Sequence, residues 1–275
     1  MKPKDFGEIA EQLRRSTVQI LNGERGEAGS GSGVIWDSTG LILTNAHVLR
    51  GKAPRVALWD GRAFPATVHS RDERRDLASL RVNTFGLPAA SSGDSSALRV
   101  GELVMAVGNP MGFVGALTTG VVHAVGPLRG LGRRAWVQAD VRLAPGNSGG
   151  PLADAQGRVV GLNTMIVAGG LALAVPSNTV AEFLKRGPSI TLGVTVRPVR
   201  TQSGKPALLV LEVAARSPAE AASLLPGDIL LMTMEELNDA IDASSGAVLT
   251  LRFLRGSNSP REVAVRLEES KSKAA

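Results

Sequence analysis

Between Val18 and Val175 the chain is a succession of short apolar runs of β type, broken by glycine and aspartate and never alternating with long helical segments. Val18–Leu21, Gly33–Trp36, Leu41–Thr44, Arg55–Trp59, Ala66–Val68 and Leu77–Val82 form one set. Leu103–Val107, Gly115–Val125, Ala135–Ala139, Val159–Asn163 and Leu171–Val175 form another. Strands this short and this frequent are stable only when paired into a sandwich or barrel. Two sets imply two such bodies, and the absence of a βαβ rhythm argues against a parallel sheet.

Gly146-Asn147-Ser148-Gly149-Gly150-Pro151 places a serine on a glycine-lined turn in the second set. A serine hydroxyl is a weak nucleophile. It needs a bonded general base, and backbone N–H groups aimed at the oxyanion that forms on attack. The stretch also satisfies the G-x-S-x-G pattern of a nucleophile elbow, whose acid and histidine follow the serine. Here no histidine follows, since His47, His69 and His123 are the only three. The base must therefore lie upstream. His47 sits in Thr44-Asn45-Ala46-His47-Val48 and Asp76 in Arg75-Asp76-Leu77-Ala78-Ser79-Leu80, giving the order His, Asp, Ser. Both lie in the first set of strands, which puts a triad at the seam of two β bodies. His69 and His123 have no comparable surroundings and read as structural or exposed.

These three segments resemble those of the HtrA/Deg family of serine proteases. Gly108-Asn109-Pro110 and Ala174-Val175-Pro176-Ser177-Asn178 match two further segments of that family, and the likeness runs from about Ser16 to Leu267. It implies a mainly β fold: a chymotrypsin-like pair of six-stranded barrels over residues 1–187, including an N-terminal helical segment, then a smaller α+β PDZ domain over 188–268 and a polar tail at 269–275. It also implies a peptide-bond hydrolase with His47 as base, Asp76 as its orienting acid and Ser148 as nucleophile. The oxyanion hole is expected from Gly146, Asn147 and Ser148, chiefly the N–H groups of Gly146 and Ser148. Leu143, Leu171, Leu173 and Val175 are expected to line an apolar pocket for a medium-sized aliphatic side chain, with Arg142 beside it as a complication. Arg129, Arg133 and Arg134 fall in what resembles a regulatory loop.

Phe6, Ile9, Ala10 and Leu13 recur at helical spacing and predict a short amphipathic docking element or cap. A second helix is predicted over Thr179–Arg186, with Asn178 as N-cap and Gly187-Pro188 as the stop. Beyond it the pattern is similar to a PDZ domain. Leu192-Gly193-Val194 would offer N–H groups to a peptide carboxylate, and the next strand would accept the peptide by β-augmentation. Met232-Thr233-Met234 leads directly into Glu235–Ile241, so the domain is short by about one strand and its turn.

Composition narrows the function classes. With 43% hydrophobic and 20% charged residues, 275 residues can bury a sizeable core. The net charge of +6 is spread through mixed-sign segments with few aromatic residues and no tyrosine, which argues against nucleic acid as a partner. With no cysteine and no spaced ligand cluster, neither a metal nor a cofactor is expected. Gly29–Gly33 lacks the Lys-Ser or Lys-Thr of a phosphate loop, and Gly130–Ala135 does not open a helix as a dinucleotide fingerprint would. The start has no apolar h-region. The expectation is cytoplasm for the chain as it stands, or the periplasm and cell envelope, as the resemblance implies, if an export signal has been removed. The resemblance further implies ATP-independent cleavage of unfolded or damaged proteins in quality control, capture of C-terminal peptides, a homotrimer and no integral membrane segment. A chaperone, or a peptide-binding adaptor with little proteolysis, is the alternative.

Overall fold

The computed structural model describes residues 5–23, 30–50, 53–128, 131, 134–167, 170–186, 192–244, 248–256 and 259–267. The chain divides into two compact units, Met1–Gly187 and Pro188–Ala275.

The first unit is built on two closed barrels. In the first, β1 (Thr17–Leu21), β2 (Ser30–Ile35), β3 (Leu41–Thr44), β4 (Arg55–Ala57), β5 (Ala63–Asp72) and β6 (Leu77–Val82) follow the order β1-β2-β3-β6-β5-β4, with β4 closing on β1. Closure leaves no open edge, which strands of three to ten residues need. The second has a two-residue strand, β7 (Ser91–Ser92), then β8 (Leu103–Gly108), β9 (Ala116–Pro127), β10 (Ala135–Ala139), β11 (Pro151–Asp154), β12 (Arg158–Ile166) and β13 (Ala172–Pro176). Its order is β11-β8-β9-β10-β13-β12; β12 closes on β11, and β7 pairs in parallel with β12. The two six-stranded barrels are those the family resemblance implies. The sequence reading passed over β11 and β7, which are four and two residues long.

Alternation along each strand separates two kinds of apolar contact. Ile35, Ile42, Ala78 and Leu80 fill the first barrel with Val18, Ile20 and Val56. Val104, Val122, Val137, Leu152, Val160 and Ala174 fill the second. The residues beside them in sequence face outward: Val34, Leu43 and Leu77 of the first barrel pack on Trp136, Leu162, Leu173 and Val175 of the second. This shared cluster is the seam.

Helix α1 (Phe6–Ser16) starts at Asp5, whose carboxylate accepts the Glu8 N–H at 2.8 Å. It buries Ile9 and Leu13 against Met105, Val107 and Ala153. Helix α2 spans Ser177–Arg186 and lays Val180 and Phe183 on the seam cluster. It begins earlier than expected. Asn178 is inside the helix and is not its N-cap; its amide donates to Asp94 at 2.8 Å, while the Ser177 hydroxyl donates to the Gly93 carbonyl. The expected stop at Gly187-Pro188 lies outside the described residues, as does the 269–275 tail.

The second unit is a five-stranded antiparallel sheet in the order β14 (Val194–Arg200), β15 (Pro206–Val213), β16 (Ile229–Leu230), β17 (Val248–Leu254) and β18 (Arg261–Arg266). A single helical turn, α3 (Pro218–Ala221), and helix α4 (Met234–Ala243) complete it. Leu237 and Ile241 of α4 join Leu208, Val210, Leu230, Leu251 and Phe253 in its core. Only Leu231, Met232 and Thr233 separate β16 from α4. Thr233 and Glu236 form a reciprocal capping box there, so the short connection ends in a well-defined helix start. Asp228 is buried and held by the Arg255 guanidinium at 2.7 and 2.6 Å.

Candidate active site

His47 and Asp76 come together because two turns of the first barrel meet. After β3 the chain makes a short 3-10 turn, Ala46–Val48, that buries Ala46 and Val48 and turns His47 outward. The β5–β6 hairpin ends on Asp76 at φ 54, a left-handed conformation that costs an aspartate on the order of 1 kcal/mol. The buried Asn45 amide donates to the Asp76 carbonyl at 2.9 Å and fixes that conformation. The carboxylate then receives the His47 backbone N–H at 3.0 Å, and His47 Nδ1 lies 2.8 and 2.9 Å from its two oxygens. An ionised carboxylate only accepts, so Nδ1 carries a proton, and in the neutral ring this tautomer leaves the lone pair on Nε2. Burial raises the Asp76 pKa, but hydrogen bonds from the His47 ring, the Thr164 hydroxyl and the His47 N–H outweigh it and hold the carboxyl below its ordinary value.

Thr164, on β12, ties this pair to Ser148. Its hydroxyl donates to Asp76 Oδ2 at 2.5 Å, and its carbonyl accepts the Ser148 hydroxyl at 2.9 Å. The Ser148 proton thus points at a backbone carbonyl.

The turn that carries Ser148 is set peptide by peptide. Ala144-Pro145-Gly146-Asn147 has proline and then a glycine at φ 106 in its centre, and the Asn147 N–H donates to the Ala144 carbonyl at 3.0 Å. These are the marks of a type II turn. Peptide planes are rigid, so fixing a carbonyl fixes the N–H opposite it. The Met111 N–H holds the Pro145 carbonyl at 3.3 Å, which turns the Gly146 N–H the other way. The Gly150 N–H holds the Asn147 carbonyl at 3.0 Å, which does the same for the Ser148 N–H. Among the described residues neither N–H donates a hydrogen bond. Asn147 is a correction: its N–H is spent on Ala144, so it is not an oxyanion donor.

Ser32, from β2, braces the turn from behind. Its hydroxyl donates to the Gly146 carbonyl at 2.6 Å and accepts the Asn109 N–H at 2.8 Å, while its own N–H donates to the Ser148 carbonyl at 2.8 Å. A Cβ on Gly149 would lie 2.1 Å from the Ser32 carbonyl oxygen, so only glycine allows this approach. Sequence reading missed Ser32 and Thr164. The signal for Ser32 was the glycine alternation at Gly31 and Gly33, while Thr164 carries no mark in the sequence.

The expected pocket is divided by the pleat. Leu173 and Val175 are fully buried in the seam with Trp136 and Phe183, whereas Leu143 packs on the cluster that holds Ala172 and Ala174. Leu173 and Val175 therefore do not share a cavity wall with Leu143. Leu143 and Leu171 remain half-buried, and Met165 and Ile166 at the end of β12 are exposed. Arg142 is exposed, and its carbonyl accepts the Thr118 hydroxyl. Arg129 and Arg133 lie outside the described residues. Arg134 is turned inward, stacked on Trp136 with 3.8 Å to the ring centroid. His69 and His123 are exposed on β5 and β9.

In the second unit, the Leu192 carbonyl accepts the Ala219 N–H at 3.0 Å and the Gly193 carbonyl accepts the Ala214 N–H at 2.8 Å. Gly193 has φ 76, and a Cβ there would lie 2.2 Å from the Ser217 Cβ. Its N–H faces away from the Leu192 carbonyl and has no acceptor among the described residues. β14, which follows, is the outermost strand of its sheet.

Two barrels with a His–Asp pair on one and a glycine-lined serine turn on the other define a trypsin-like peptidase, and residues 31–162 match the family described as a trypsin-like peptidase domain. Over 260 residues the chain is 35% identical to "Serine protease HTRA2, mitochondrial" of Drosophila persimilis, covering 81% of this chain and 61% of that protein. It is 36% identical over 277 residues to "Putative serine protease HhoB" of Synechocystis, covering 87% and 66%. With "Probable periplasmic serine endoprotease DegP-like" of Chlamydia pneumoniae the identity is 35% over 244 residues, covering 81% and 50%. Among solved structures, the HtrA-type protease AlgW bound to a decapeptide aligns with TM-score 0.66 and 26% identity, over 96% of this chain and 98% of that one. The serine endoprotease from Yersinia pestis aligns with TM-score 0.67 and 25% identity, over 98% and 99%. The chain belongs to the HtrA family of serine proteases. It spans between half and two thirds of the length of these curated relatives. Among the described residues no helix is long and apolar enough to cross a membrane.

Proposed function

We propose that this protein is a serine endopeptidase that cleaves unfolded or damaged polypeptides without nucleotide. The observation that carries the reading is the convergence on Thr164, whose hydroxyl holds Asp76 and whose carbonyl holds the Ser148 hydroxyl. Ser148 Oγ attacks the scissile carbonyl as its proton passes to His47 Nε2. Asp76 keeps the Nδ1–H tautomer and stabilises the imidazolium. The tetrahedral oxyanion is met by the Gly146 and Ser148 N–H groups, each worth about 3 kcal/mol of barrier in comparable sites. The imidazolium protonates the leaving amine, and water resolves the acyl-enzyme by the reverse sequence of proton moves. Leu143 and Leu171 supply the apolar side of the pocket for an aliphatic side chain, and the exposed end of β12 pairs with the substrate backbone.

The second unit fits a shortened PDZ domain. Its support is the Gly193 N–H, which has no acceptor among the described residues, beside β14, the outermost strand of the sheet they form, an arrangement suited to a peptide carboxylate followed by an added strand. A homotrimer in the cell envelope, regulated by C-terminal peptides, completes the reading. The test compares wild type with Ser148→Ala on unfolded casein, with and without C-terminal peptides. Wild type is expected to cleave and to react irreversibly with a fluorophosphonate. Full cleavage by Ser148→Ala would show that the nucleophile is elsewhere.

A further inference from the structure

The turn that delivers Asp76, Asp72 to Asp76, is secured at one end by its own first residue. Asp72 is buried; its Oδ1 accepts the N–H groups of Arg74 and Arg75, both at 3.0 Å, and its Oδ2 accepts Arg75 Nη1 at 2.6 Å. That carboxylate has no need of another cation. Arg134 nevertheless reaches the same turn from the start of β10, and its Nη1 donates to the Arg74 carbonyl at 2.6 Å. Its guanidinium carbon lies over the ring of Trp136, 3.8 Å from the centroid, and Trp136 is buried in the seam. Burial disfavours that charge, and Asp76 and Asp72 are the carboxylates that attract it. The cation is thus bonded to a backbone oxygen two residues before Asp76, in a turn whose last residue sits at positive φ.

We propose that Arg134 is a positioning residue for the triad carboxylate. Stacked on Trp136, it clamps the Arg74 carbonyl and holds the Asp72–Asp76 turn in the one register that points Asp76 at His47 Nδ1. It touches neither substrate nor the reacting atoms. The assignment rests on the reading of Asp76 as the triad acid, and it gives the loop between β9 and β10 a direct connection to the catalytic centre of its own chain. A merely structural arginine would affect the folded fraction. A clamp on the Asp76 turn affects turnover at saturating substrate.

The experiment measures kcat and KM of the full chain on fluorescently labelled unfolded casein, alongside the thermal unfolding midpoint. The variants are Arg134→Ala, Arg134→Gln and Arg134→Lys, with Arg62→Ala as a control that removes another arginine over a tryptophan, Trp59, away from the site. Arg134→Ala is expected to lower kcat by roughly ten- to a hundredfold with KM little changed, the penalty of a misplaced catalytic group. Arg134→Lys, which retains charge and donor, recovers most of it; Arg134→Gln recovers less; Arg62→Ala keeps wild-type kcat. Wild-type kcat in Arg134→Ala, or equal kcat in the lysine and glutamine variants, overturns the proposal. If the alanine variant does not fold, the lysine–glutamine comparison alone decides it. Asp76→Asn is run in parallel, and full activity there would sink the triad reading instead.

Discussion

The hydroxyl of Ser32, on the first barrel, donates to the carbonyl of Gly146, on the second, at 2.6 Å. Ser32 is buried, so replacing it with alanine leaves the Gly146 carbonyl and the Asn109 N–H without their partner, a cost of about 1–3 kcal/mol for each group. The turn then loses the contact that orients its central peptides. Ser32→Ala is expected to lower kcat on unfolded casein by about a hundredfold, the size of effect that follows removal of one oxyanion donor, with a smaller change in KM. Equal kcat in the variant would show that the brace is dispensable.

Thr164 tests the other side of the site. Thr164→Val removes the proton donated to Asp76 while keeping the shape, whereas Thr164→Ser keeps the donor. Steady-state kinetics should show the valine variant slower by about tenfold, from the weaker grip on the carboxylate, and the serine variant close to wild type. Equal loss in both would assign the effect to packing on β12.

Gly146→Ala addresses the turn itself. A side chain at φ 106 is strained, and its Cβ would lie 2.7 Å from the Asn109 carbonyl oxygen, so the central peptide is pushed out of its type II geometry. The protein should fold with a small loss of thermal midpoint and lose most of its reactivity towards a fluorophosphonate. Retained labelling at the wild-type rate would mean that the alanine is accommodated without disturbing the oxyanion hole.

The depressed pKa of Asp76 gives a stability test in a Ser148→Ala background, where self-cleavage does not interfere. A carboxyl whose folded pKa lies below its unfolded value of about 3.9 stabilises the fold above that value, and the contribution fades as pH falls through the folded pKa. Asp76→Asn should therefore unfold with a shallower dependence on pH below about 4 than the parent. Parallel curves would mean that Asp76 titrates alike in both states.

The rhythm of glycine-broken strands made two sets of β segments legible and the order His47, Asp76, Ser148 made the site legible, because strand period and motif order are local properties; that the sets close into two barrels came from the family resemblance. What escaped were contacts made across the fold. Ser32 reaches Gly146 from a distant segment, and nothing near Thr164 distinguishes it from any other strand threonine. Leu173 and Val175 were assigned to the pocket by likeness, but the pleat turned them into the seam. Arg134 read as a loop cation because sequence gives no hint that Trp136, two positions on, offers it a surface to lie on. Asn178 read as a cap, yet the helix starts at Ser177, two residues before the expected Thr179, where the Ser177 hydroxyl has a partner in Gly93.

The seam has one more consequence. Val34, Leu43 and Leu77 pack directly on Trp136, Leu162 and Leu173, and Ser32 bonds to the turn beyond. The covalent link between the barrels passes through Phe85, which is 77% exposed on the surface. A protease nick there would sever the chain without separating its halves, and the two fragments would remain a single working body held by the interface alone.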